Sequence, residues 1–594
     1  MFVTHFKKLV KKILYEPLFY LLPLLAALYL MLIPARMEIS DIKITRNDKT
    51  ENIKLPYSVD MANNEMFVVS YSLSVKDKKT AKFNVIPDDC IREILINGEK
   101  FPLGGLRGLC NYSSGAYIDF SEYVQEGLNF FEFHVVNNGG PGGLRVEKPY
   151  NGFKSLSLAH YIFALVFLLS TALFLRKFKF KFIATSIILL GIIVRLISYT
   201  YIGPTEYSYD TGGHLQYMKI ISEEKRLPQN EECWSCYHPP LYYTSFAVLK
   251  NLADRYDLNF TNRILQQAHL LLSFGSIIFG VALILNLFGN CRMAYLTALV
   301  SVLWPGFVIA APRIGNDSLF YFGALFCMMF AQRYWRLHKN SDILLAFIGA
   351  SIALAAKTTG FVILGGWIVV YILSALRSLK FGSLRILLVS AFIVMLVAGF
   401  SNYRTIAGIF EGNKLGLVGN ADGLNGNLRV NNTTGNYLYF DLRDYLLEPY
   451  ASAWNNNGGR QYYWNYSLKT SLFGEFRFWN APVGYIFATV LSVFALLIFM
   501  LALWGIIHAK SKDLPPLLFV LFLFAAHIYL RVSYPYSCAN DFRYIFPVLF
   551  PLVYFATCGT QILENSRLRK FSYISMLAFA ALSFLFIVGQ AIWK

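Results

Sequence analysis

Apolar runs of roughly 18 residues or more recur along this 594-residue chain, each long enough to cross the hydrocarbon core of a bilayer. They lie near 15–34, 157–175, 182–202, 264–288, 294–312, 318–335, 342–357, 360–377, 384–401, 481–506, 514–532, 543–562 and 572–592, about thirteen in all. Only 15% of the residues are charged, against about 25% in a soluble domain. The chain therefore reads as an α-helical polytopic membrane protein. Its first run is too long for a cleavable signal, and "IPARMEI" lacks a small-residue cleavage site, so residues 1–36 are expected to be a basic cytoplasmic N-terminus and a first transmembrane helix.

The net charge of +18 is concentrated in short loops between these runs. Lys7, Lys8, Lys11 and Lys12 form one cluster, and Arg176, Lys177, Lys179 and Lys181 the next. Arg333, Arg336 and Lys339 follow, then Arg377, Lys380 and Arg385, then Lys510 and Lys512, and finally Arg567, Arg569 and Lys570. These loops alternate with less basic ones, so the positive-inside rule puts the N-terminus in the cytoplasm and three long segments outside: 37–155, 203–263 and 402–480. Residues 37–155 carry 14 Lys/Arg against 16 Asp/Glu, which assigns the basic excess to the membrane part and removes any need for a nucleic-acid partner.

Segment 37–155 reads as short, partly alternating strands, among them "MFVVSYSLSV", "AKFNVIP", "IREILING", "AYIDF" and "NFFEFHVVN", with "NNGGPGG" as a turn. An all-β sandwich is expected. The order "DDCIREILINGEK…YIDFSEYVQEGLNFFEFHVVNNGG" resembles the galactose-binding-like jelly roll. That resemblance implies either glycan binding or a structural cap. Cys90 and Cys110 in this segment, and Cys233 and Cys236 of "CWSC", fall on the side where disulfides persist. The CxxC is read as a structural disulfide, with a redox or zinc site as the alternatives.

Ionisable residues at the mouth of a span are costly unless they line a wet cavity. In 203–263, "SEEKR" reads as a solvated face; setting it aside leaves Asp210, His214, "HPPLYY" and Arg263. "YDTGGHLQYMKIISEEKRLP…YHPPLYYTSFAVL" resembles the first outer loop of GT-C membrane glycosyltransferases, in the branch of protein O-mannosyltransferases and the lipid A aminoarabinose transferase. "NRILQQAHLLLSFGSIIFG", "PRIGNDSLFYFGALF", "ALAAKTTGFVIL", "YSLKTSLFGEF" and "DFRYIFPVLFPLVYF" follow in the family's order, and the resemblance spans 156–594. The chain departs from that pattern in its N-terminal β domain, in the CxxC, and in having Tyr209 and Thr211 beside Asp210 where the mannosyltransferases have an acidic pair.

The resemblance implies transfer of a hexosyl or pentosyl group from a polyprenyl-phosphate sugar to a glycolipid, polysaccharide or protein acceptor. It places the site on the periplasmic, extracytoplasmic face of a bacterial inner membrane. Such a displacement needs a base for the acceptor hydroxyl and positive charge for the departing phosphate. Asp210 is the expected base, a helix-capping Asp being the alternative. Arg263, Lys357 and Arg543 are the expected donor-phosphate ligands, or else interfacial anchors. His214, His238, Tyr242, Asp317, Glu475 and Tyr544 are the expected substrate-binding residues. For the histidines the alternative is fixing the loop, and for Asp317 it is capping a helix. Gly212 and Gly213 are expected to let the backbone pass close to substrate. The Asn-, Gly- and Tyr-rich segment 402–480 suits either a lid over the acceptor or a flexible loop, and it holds Asn465 in an Asn-x-Ser match. No cofactor or metal is expected. The competing readings are a lipid-linked glycan transporter or flippase and an O-antigen polymerase or ligase.

Overall fold

The structure is a computed structural model. It describes residues 39–593, leaving out 148–157, 256–261, 403–427, 455–458 and 479–481, and also 54, 56, 76, 79–80, 105, 107–108, 111–114, 139–140, 178–179, 205 and 380–381. The first apolar run, 15–34, lies outside the described residues. Two compact units are present: one within 31–151 together with 205–208, and one made of the remainder.

The first unit is two antiparallel sheets. β1 (Ile39–Arg46), β2 (Lys49–Asn52), β4 (Met66–Val75), β6 (Cys90–Ile96), β7 (Glu99–Lys100) and β9 (Gly127–Val136) form one, in the order β2-β1-β4-β9-β6-β7. β3 (Tyr57–Asp60), β5 (Lys82–Pro87), β8 (Ala116–Asp119) and β10 (Pro141–Glu147) form the other, in the order β3-β10-β5-β8. Period-two alternation turns Val69, Tyr71 and Leu73 of β4 and Phe131, Phe133 and Val135 of β9 inward. There they share one apolar cluster with Phe83 and Val85 of β5, so the two sheets close over a common core. Cys90 and Cys110 are disulfide-bonded. Residues 141–143, the end of the stretch read as turn, instead open the strand Pro141–Glu147: Pro141, Gly142 and Gly143 pair with Asp60, Val59 and Ser58. Glu206 also belongs to this unit, buried and accepting a hydrogen bond from Asn84 Nδ2.

The second unit is helical, and its described apolar runs lie on helices, 294–312 with a break. Among the described residues, eight helices are long and apolar enough to cross a membrane: Phe182–Tyr201, Asn262–Phe288, Gly360–Ser378, Leu384–Ser401, Val483–Ile507, Ser511–Ser533, Ser537–Ile562 and Ser566–Ile592. The chain is an α-helical polytopic membrane protein. Leu158–Lys177, Asp317–Leu337 and Asn340–Ala356 are helices on the remaining runs, apart from 294–312. That run is not a single span. Pro305 cannot donate an N–H to a continuing helix, so Arg292–Val302 ends before it and a short helix, Pro305–Ile309, starts on the proline. The intervening Trp304 donates its indole N–H to Ser471 O at 2.7 Å. Elsewhere, small residues bring backbones together: a Cβ on Gly559 would lie 2.1 Å from Leu501 O, and one on Gly505 1.9 Å from Phe555 O.

Candidate functional site

Asp210 stands immediately before the helix Thr211–Glu224 with left-handed backbone (φ 51°). An aspartate there ordinarily caps the helix with its carboxylate, an arrangement worth about 1 kcal/mol. Asp210 makes no such bond; only its backbone carbonyl engages the helix, accepting from His214 N at 3.0 Å. Its carboxylate turns elsewhere. Oδ1 accepts from Trp234 Nε1 at 2.8 Å, and Oδ2 lies 3.5 Å from Arg543 Nη2. The carboxylate is 38% exposed, so it is held yet reachable.

Arg543 lies in the tight helical stretch Phe542–Val548 that precedes the helix Leu549–Ile562. Its guanidinium stacks 3.8 Å from the Tyr209 ring, donates to Tyr544 Oη at 3.1 Å, and places Nε 3.7 Å from buried Asp541. Lys357 occupies the turn between Asn340–Ala356 and Gly360–Ser378. Its Nζ is 2.5 Å from Asp317 Oδ1 and 4.6 Å from the Tyr544 ring, so that one ring touches both cations. Asp317 opens the helix Asp317–Leu337, where the helix dipole also favours a negative charge. Asp210, Arg543, Tyr544, Lys357 and Asp317, far apart in sequence, thus form one connected polar cluster.

Arg263 does not join it. Its Nη1 donates to Ile202 O at 2.9 Å and Gln266 Oε1 at 2.6 Å, and its Nη2 to Tyr199 O at 2.8 Å. The last carbonyls of a helix lack partners of their own, and this arginine supplies them for Phe182–Tyr201 while its guanidinium stacks on Tyr199. The expected phosphate ligand is therefore a helix C-terminal clamp. Tyr242 is likewise directed away, sharing a 2.7 Å hydrogen bond with His269, whereas its neighbour Tyr243 shares one of 2.8 Å with His214 Nδ1. His214 and His238 stack face to face beside Tyr243, 5.9 Å apart. Burial pushes the His214 imidazole down to about 4 and also lowers that of His238, so both are neutral near pH 7. Gly213 admits the "CWSC" turn rather than substrate, since a Cβ there would meet Ser235 N and Trp234 Cβ at 3.0 Å; nothing lies within 4 Å of one on Gly212.

Tyr209, Asp541, Arg313 and Trp234 complete the surroundings and were missed in the sequence. Tyr209 Oη accepts from Glu475 N at 3.0 Å, its ring carries the Arg543 guanidinium that also faces Asp541, and the Arg313 guanidinium lies 4.9 Å from the same ring. An aromatic directly before the candidate base, and a carboxylate two residues before Arg543, were the available signals. The described part of 402–480 is packed structure rather than loose chain. Lys469 and Asp444 form a buried ion pair at 2.7 Å, and fully buried Asn465 spends its side-chain amide on Asp441 and Asp444.

Glu475, just beyond the helix Tyr463–Phe473 of this segment, accepts from Tyr466 Oη at 2.5 Å. Burial, then Asp541 nearby, pushes its carboxyl up to about 8, so folding favours the protonated form. The stabilisation of that form is complete below the ordinary carboxylate pKa and is lost as pH rises to about 8. Glu475→Gln should therefore leave thermal stability at pH 5 unchanged and flatten its decline between about pH 5 and 8, as read by Tm against pH.

No protein-family model matches the chain, and no curated protein matches it. Among solved structures, the chain is similar to ArnT from Cupriavidus metallidurans bound to undecaprenyl phosphate, with 13% identity and a TM-score of 0.42 over 68% of this chain and 76% of that one. It is also similar to ArnT from the same organism in the apo state, with 13% identity and a TM-score of 0.41 over 69% and 77% of the two chains.

Proposed function

We propose that this protein is a membrane glycosyltransferase of the GT-C type, moving a sugar from a polyprenyl-phosphate donor to an acceptor hydroxyl at the extracytoplasmic face. The observation that carries the reading is the uncapped, partly exposed Asp210 carboxylate, 3.5 Å from a largely shielded guanidinium that shares the Tyr544 ring with a buried lysine. An inverting displacement requires both functions in one site, with the sugar's anomeric carbon between the base and the cations. Asp210 takes the acceptor proton as its oxygen attacks the anomeric carbon, and the C–O bond to the phosphate breaks on the opposite face. Arg543 binds the departing phosphate through its planar fork, and Lys357 adds a point charge. His214, neutral and fixed by Tyr243, suits a hydrogen bond to a sugar hydroxyl. The acceptor is a glycolipid, polysaccharide or protein, and the group moved is a hexose or pentose.

The test is a transfer assay on purified protein reconstituted in vesicles with undecaprenyl-phosphate monosaccharides and extracted envelope glycans. The reading requires labelled sugar to appear on an acceptor. Translocation of an intact lipid-linked glycan between leaflets, with no sugar transferred, would establish the transporter reading instead.

A further inference from the structure

The "CWSC" turn is an element that the reaction as described does not use. Cys233 and Cys236 are disulfide-bonded and buried, and Cys236 N closes the turn on Cys233 O at 3.1 Å. Both cysteines lie in the same apolar cluster as Tyr217, Ile220 and Ile221, which belong to the helix that begins just after Asp210. Gln216 of that helix donates to Glu232 O at 3.0 Å, and the missing Cβ of Gly213 lets the turn approach the helix's first residues. Between the two cysteines, Trp234 is 38% exposed, and its indole N–H reaches back to Asp210 Oδ1 at 2.8 Å.

We infer that Trp234, held by the Cys233–Cys236 bond, is a positioning residue that aims the Asp210 carboxylate at the acceptor. Asp210 forgoes its helix cap, so the nearer of its two oxygens is steered by one indole N–H, and the other faces Arg543 across 3.5 Å. A tryptophan on an open loop would lose side-chain and backbone freedom on making that bond. Closing the loop over a separation of three residues removes much of that freedom in advance. A solely structural disulfide would brace the turn against the helix Thr211–Glu224 without requiring an N–H donor at position 234. The inference rests on Asp210 being the base.

The experiment measures steady-state transfer by the full-length protein, using whichever undecaprenyl-phosphate monosaccharide the wild type turns over. Trp234→Phe, which keeps the aromatic body but has no N–H, should lower kcat by about 30-fold with KM within about twofold, since misplacement of a reacting group can cost up to about a hundredfold. The double variant Cys233→Ser with Cys236→Ser should lose a similar factor. So should wild type treated with dithiothreitol, in which the dithiol is oxidised as the disulfide becomes two thiols, their appearance verified by alkylation and mass. Because the two act as one unit, reduction should cost Trp234→Phe less than about twofold more. The reductant effect should persist in the double variant Cys90→Ser with Cys110→Ser. Full turnover by Trp234→Phe beside an inactive Asp210→Asn would overturn the positioning role and leave the base assignment intact. Full turnover by Asp210→Asn, or no transfer by wild type from any donor, would overturn the underlying reading and this inference with it.

Discussion

Replacing Asp210 by Asn is expected to lower kcat for sugar transfer by about a thousandfold, with KM for the lipid-linked donor within about threefold. The amide matches the carboxylate in shape, and its oxygen can still accept from Trp234 Nε1, so the loop before Thr211–Glu224 keeps its place. What disappears is the capacity to take a proton from the attacking hydroxyl. That capacity matters only in the transition state, which is why kcat carries the loss. Stability should barely change. Asp210 contributes no helix cap, and its contact with Arg543 is a 3.5 Å ion pair on a carboxylate that is 38% exposed, a kind worth about 0–1 kcal/mol. An Asp210→Asn protein that folds as wild type and transfers at the full rate would eliminate Asp210 as the base.

That Asp210 belongs to a polar cluster was legible in sequence, because a carboxylate just beyond an apolar run is costly unless it lines a polar site. Lys357 and Arg543 were legible for a related reason, as cations at the ends of such runs. Arg263 shared that pattern but has another use, because the carbonyls it serves lie more than 60 residues earlier and are invisible until the helices pack. The same long-range packing hid Tyr209, whose stacking on Arg543 spans more than 300 residues. Five strands could be read from alternation, but Pro141–Glu147 could not. Its glycines signal a turn locally, and only pairing with Tyr57–Asp60 and Lys82–Pro87 makes it a strand. At Pro305 the signal was present and outweighed: an apolar window measures composition and is blind to a missing N–H.

Lys357 offers the sharpest separation of structure from chemistry, because it forms an ion pair and also shares the Tyr544 ring with Arg543. Lys357→Met alone should destabilise the protein by about 3 kcal/mol, since it leaves Asp317 without its 2.5 Å partner in a largely buried place. It should also cut kcat/KM for transfer by about 10²- to 10³-fold by removing one positive charge from the departing phosphate. Those two losses are confounded in the single variant. Adding Asp317→Asn removes the stranded charge, and replacing a buried ion pair by neutral groups of similar volume is often close to neutral in stability. The double variant should therefore regain most of its Tm in a thermal melt while transfer stays depressed by the same factor. Recovery of both would make the pair a structural clip and leave Arg543 as the phosphate ligand. Recovery of stability alone means that the pair acts on the substrate, and an active Asp317→Asn single variant would then assign the effect to the lysine, since Arg543 still stands beside the Tyr544 ring in both.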